Sequence, residues 1–67
     1  MAKVMVNGRA QEVTAGSTLG ELLARMQLRP ENVVAAVNGE VVATDAVDVR
    51  VLRDGDALDV MSFVGGG

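Results

Sequence analysis

A chain of 67 residues with one phenylalanine as its only aromatic, no cysteine and no histidine buries only about 60% of the surface it exposes when unfolded, enough for one small domain. Without thiols or imidazoles there is no disulfide framework, no thiolate cluster, no zinc site and no His-dependent triad. Nine carboxylates against six cations, a net charge of −3, argue against nucleic acid as a partner.

In chain order, Lys3-Val4-Met5-Val6 and Arg9-Ala10-Gln11-Glu12-Val13 flank Asn7-Gly8. This is a hairpin signal, because both residues of the tight turn need positive φ. The two-residue period sends Val4 and Val6 to one face and Met5 to the other. Thr18-Leu19-Gly20-Glu21 reads as a capping box that starts a helix. Leu19, Leu22, Leu23 and Met26 then form one apolar stripe, which is core rather than a cofactor site. Pro30 is expected to end this segment, and Gly20 weakens it by about 1 kcal/mol relative to Ala.

Val33-Val34-Ala35-Ala36-Val37, Asn38-Gly39 and Glu40-Val41-Val42 repeat the hairpin pattern. Val47, Val49 and Val51 alternate with Asp48, Arg50 and Leu52, which reads locally as a further strand. Arg53-Asp54-Gly55-Asp56 is a turn, after which Ala57 to Phe63 alternates with Leu58 and Val60 inward and Asp59, Met61 and Phe63 outward. Thirteen valines reinforce the lean toward sheet. The expected class is α+β: a single mixed sheet of four to five strands with one main helix packed on one face. The other face is left to water or a partner. Residues 1–64 form the domain and residues 65–67 a flexible glycine tail.

Catalysis by the chain alone is disfavoured, since Ser17, Ser62 and the threonines have no histidine beside them and Lys3 is the sole lysine. Asp54, Asp56 and Asp59 lack the spacing and distal glutamate of a calcium loop. Gly16-Ser17-Thr18 lacks the lysine and glycine spacing of a nucleotide loop. No segment approaches the ~20 apolar residues of a membrane span and no secretory signal is evident, so a cytoplasmic location is expected. Residues 31–67 hold seven carboxylates against Arg50 and Arg53, a half suited to a basic partner surface.

Met5, Met61 and Phe63 are expected together on the uncovered face, as a partner-docking cluster. Gly65-Gly66-Gly67 has no Cβ anywhere and can lie extended in a channel too narrow for side chains. It would bring the α-carboxylate of Gly67 into another protein. A carboxylate is a poor acyl donor, so its use requires activation by a partner enzyme, most simply as an acyl-adenylate made from ATP and Mg²⁺. From composition alone, a frayed glycine terminus is the competing interpretation.

The sequence resembles the ubiquitin-like ThiS/MoaD family of sulfur carriers, most closely its thiamine-biosynthesis branch. The matching features are the Val4-to-Asn7 opening, Gly16-Ser17-Thr18-Leu19-Gly20-Glu21-Leu22-Leu23, Ala36-Val37-Asn38-Gly39-Glu40-Val41-Val42, and Asp54-Gly55-Asp56 ahead of a last strand and Gly66-Gly67. The resemblance implies a β-grasp fold and a carrier that binds no cofactor of its own. It also implies that Gly67 is adenylated by a ubiquitin-activating-type enzyme and converted to a thiocarboxylate, with Gly65 and Gly66 in the partner's channel, and that the sulfur passes to a thiazole synthase. A carrier for molybdopterin or another sulfur-containing metabolite, and a non-reactive ubiquitin-like binding module, are the alternatives. Against the family pattern, residues 47–52 alternate more like a strand than the irregular segment expected there.

Overall fold

The computed structural model describes residues 1–63. Strands β1 (Ala2–Val6), β2 (Arg9–Val13), β3 (Val33–Val37), β4 (Glu40–Val42) and β5 (Ala57–Ser62) form one sheet in the order β2-β1-β5-β3-β4. One helix, α1 (Leu19–Arg25), is packed on it. β1 and β5 run parallel and the other neighbouring pairs antiparallel. This is the mixed sheet with one helix expected from the sequence, with five strands.

Both Asn-Gly pairs make two-residue hairpin loops. Val6 is opposite Arg9 and Val37 opposite Glu40, with φ of 51° and 84° at Asn7 and Gly8 and 53° and 84° at Asn38 and Gly39, the left-handed pair that such loops require. The core lies between the helix and the inward face of the sheet. Leu19 and Leu23 are fully buried beneath Val4, Val13, Leu58 and their neighbours.

The helix starts as expected. The Glu21 N–H donates to the Thr18 hydroxyl oxygen (3.2 Å) and the Thr18 N–H donates to Glu21 Oε1 (2.8 Å), closing the capping box. Its end differs from expectation, because α1 stops at Arg25, five residues before Pro30. Gln27 takes a φ of 61°, and the N–H groups of Gln27 and Leu28 donate to the carbonyls of Ala24 (3.0 Å) and Leu23 (2.9 Å). That is a Schellman closure without glycine. Met26 becomes the C-cap, partly buried against the core, and Pro30 opens a 3₁₀ turn, Pro30–Asn32.

Residues 47–52 are not a strand. A 3₁₀ turn, Thr44–Ala46, leads into turns, with one isolated bridge between Val51 and Thr18. The segment lies against the helix N-terminus instead. The Leu19 N–H donates to the Arg50 carbonyl and the Gly20 N–H to the Val47 carbonyl, both at 2.9 Å, while the Leu52 N–H donates to the Ser17 carbonyl at 2.8 Å. The helix N–H groups that Thr18 does not cap would otherwise lack partners, and satisfying them sets the course of this loop. Val47 and Leu52 are buried, whereas Val49 is 77% exposed. Alternation here therefore reports on two anchor points, not on a pleat.

Candidate functional site

The face of the sheet opposite the helix carries the expected docking residues. Leu58 and Val60 point inward and are buried, and Met61 and Phe63 are 69% and 64% exposed. The register distributes the cluster unevenly. Met5 lies opposite Ala57, four residues along β5 from Met61, or about 13 Å at the strand rise. Met5 thus shares the face without touching the Met61–Phe63 end by register, and it is 39% exposed. Directly across from Met61 is Val34 of β3, 46% exposed, and Val41 of β4 lies opposite Ala36 on the same face. These two valines were absent from the sequence-derived cluster. For Val34 the signal was present in the apolar run Val33 to Val37, whose even-numbered members have to face away from the helix once its odd-numbered members are buried.

The end of β5 is pinned to the sheet through its neighbour. The Phe63 N–H donates to the Asn32 carbonyl at 3.2 Å, which holds the backbone immediately before residues 64–67. Gly65, Gly66 and Gly67, the expected tail and reaction site, lie outside the described residues.

At the opposite end of β5 the acidic turn is tied to its neighbours, with Asp54 exposed and Asp56 buried. Asp54 Oδ1 accepts from the Lys3 N–H (2.8 Å). Asp56 is buried and accepts from the Arg53 N–H (2.8 Å) and from Asn38 Nδ2 (3.0 Å), with Arg50 at 4.0 Å. Burial pushes the Asp56 carboxyl up, but the Arg53 N–H, the Asn38 amide and the charges of Arg50 and Arg53 outweigh it and hold the group below the ordinary aspartate value. These carboxylates organise the turn. Among the described residues no group of three acidic side chains is placed to hold a metal ion.

Asn7 and Asn38 do more than turn the chain. Asn7 Oδ1 accepts from the Val60 N–H (2.8 Å) and its Nδ2 donates to the Val60 carbonyl (3.0 Å). Asn38 Oδ1 accepts from the Ala57 N–H (2.9 Å). Each side-chain amide thereby stands in for a missing backbone partner on the central strand. An open depression of about 520 Å³ beside α1 is lined by Thr14, Gly16, Ser17, Glu21 and Arg25 among others. Glu21 there is engaged in the helix cap. Among the described residues no helix is long and apolar enough to cross a membrane.

Comparison with known proteins supplies the family context. The family model described as the ThiS family matches residues 4–67. The sulfur carrier protein ThiS of Escherichia coli is 26% identical over 65 residues, covering 97% of this chain and 98% of that protein. A thiazole synthase of Magnetococcus marinus is 35% identical over 65 residues, 97% of this chain. The chain spans about a fifth of the length of the thiazole synthases it matches, 20% in that case. The crystal structure of a thiamine biosynthesis protein (ThiS) from Geobacter metallireducens superposes with a TM-score of 0.80 at 34% identity, covering 97% of this chain and 99% of the other.

Proposed function

The chain belongs to the ThiS family, and from that premise we propose that it carries sulfur for building the thiazole ring of thiamine, with the carboxyl carbon of Gly67 as the point of attachment. The observation that carries this reading is the nearly complete mutual coverage with a sulfur carrier. In this reading a ubiquitin-activating-type enzyme supplies the catalysis.

In the proposed sequence a Gly67 carboxylate oxygen attacks the α-phosphorus of Mg²⁺-bound ATP and pyrophosphate leaves. Hydrosulfide (HS⁻) then adds at the acyl carbon and gives up its proton, and AMP departs with the oxygen, leaving a thiocarboxylate. Adenylation supplies the leaving group that the carboxylate lacks. A thiazole synthase takes the sulfur. Gly65 and Gly66 thread the partner's channel, where any Cβ would meet its walls. Met61, Phe63 and Val34 dock the folded part against the same partner, with Met5 at the margin of that contact. ATP and Mg²⁺ belong to the activating enzyme, and the carrier itself holds no cofactor.

The decisive measurement is the intact mass of the protein as its cell makes it, before and after incubation with ATP, Mg²⁺, a sulfur source and a cognate activating enzyme. The expected result is a species that ends at Gly67 and gains the difference between one sulfur and one oxygen. A mass showing residues beyond Gly67, or one that stays unchanged with an activating enzyme competent on its own carrier, overturns the reading. Deleting Gly66 and Gly67 is expected to abolish sulfur transfer while leaving partner binding. Retained transfer would overturn Gly67 as the point of attachment, and partner binding with no transfer even by the intact chain would assign it to a non-reactive binding role.

A further inference from the structure

We infer that Asn38 is a latent modification site, in which a side-chain clamp guards the carboxamide against hydrolysis in the folded state and hydrolysis, once it occurs, sets two carboxylates against each other. The argument is independent of the sulfur-carrier reading. Asn-Gly is the sequence in which the following backbone nitrogen meets least steric hindrance, because glycine has no Cβ. In the reaction the Gly39 nitrogen attacks Asn38 Cγ, its proton is lost as the new C–N bond forms, and the carboxamide nitrogen leaves as ammonia. Water then adds to either carbonyl of the cyclic imide and reopens it to aspartate or isoaspartate. The net change is one water consumed and one ammonia released.

Attack requires the Asn38 side chain to swing toward its own backbone. The structure holds it elsewhere: Oδ1 accepts from the Ala57 N–H at 2.9 Å and Nδ2 donates to the buried Asp56 carboxylate at 3.0 Å. A hydrogen bond to a charged acceptor is stronger than a neutral one. Asn7 is also an Asn-Gly site and is also clamped, but its Nδ2 faces the neutral Val60 carbonyl. Hydrolysis at Asn7 loses a hydrogen bond; at Asn38 it replaces a donor with a second negative charge beside Asp56. The β3–β4 hairpin is then pushed off the start of β5 by like-charge repulsion.

Wild-type protein incubated in mildly alkaline buffer with and without urea, followed by peptide mapping for aspartate and isoaspartate at positions 7 and 38, tests the guard. The folded protein is expected to modify position 38 about tenfold or more slowly than in urea, the factor that a charge-assisted hydrogen bond represents. Asp56→Ala is expected to raise the native-state rate at position 38 while leaving position 7 as in wild type. Equal rates at position 38 with and without urea, or an equal rise at both positions in Asp56→Ala, overturns it. Should Asp56→Ala fail to fold, the urea comparison still decides the guard. Asn38→Asp tests the consequence: its loss of urea midpoint relative to wild type should be larger at pH 7 than near pH 4, where the carboxylate pair takes up a proton. An equal loss at both pH values overturns the repulsion.

Discussion

Asp56 sits where three parts of the chain meet, taking hydrogen bonds from Arg53 and Asn38 with Arg50 beside it. Its carboxyl is held below the ordinary aspartate value, so the folded form binds fewer protons than the unfolded form in the interval between the two. Its contribution is therefore complete above the unfolded value, roughly pH 4, and is lost as pH falls through the lower folded value. Urea titrations should show Asp56→Asn less stable than wild type at pH 7, with the gap narrowing below about pH 4. A gap independent of pH would mean that Asp56 acts by shape alone. The positive-φ turns at Asn7-Gly8 and Asn38-Gly39 were legible because local sterics dictate them. The second use of each asparagine was not, since it depends on β5, which lies 53 residues from Asn7 and 19 from Asn38 along the chain.

The helix shows which parts of an element are written locally. The capping box at Thr18 and Glu21 is a four-residue signal, and it appears as read. The C-terminal closure at Gln27 was not legible, since a non-glycine residue takes the left-handed position and Pro30 offered a more conventional stop. The 44–52 segment was misread for a related reason: valine alternation matches a strand, yet the hydrogen-bonding demand of the helix N-terminus outweighs it. Gly20 belongs to the same contact: a Cβ there would touch Val47 and displace the Asp48 carboxylate, the free end of an exposed side chain. Gly20→Ala is consequently expected to gain at most the helix-propensity difference of about 1 kcal/mol, and a Gly20→Ala/Asp48→Ala double variant, which clears the displaced carboxylate, should be at least as stable as Gly20→Ala in thermal unfolding. Leu23→Ala removes a fully buried side chain and should cost about 2–5 kcal/mol, enough to abolish the cooperative transition in so small a domain.

For the whole molecule, a sheet covered on one side only leaves its other side available. Val34, Met61 and Phe63 are 46–69% exposed at one end of it, and the sequence led to this face through the alternation in β5. Its composition was only partly legible, because Val34 and the distance of Met5 from Met61 follow from the strand register, which needs the order of the strands. Phe63→Ala and Met61→Ala are expected to weaken binding to the activating enzyme several-fold, about 1–2 kcal/mol as for partly exposed interface side chains, while shifting the urea midpoint little. Calorimetric titration beside urea unfolding separates the two. A large loss of stability with unchanged binding would assign these side chains to the fold.

β5 occupies the middle of the sheet although it is the last strand along the chain. Without residues 57–62, β1–β2 and β3–β4 are two separate hairpins with no shared ladder. The two halves become one sheet only when β5 slots between β1 and β3. A chain without β5 therefore lacks the strand that joins its two halves and is left open to proteolysis.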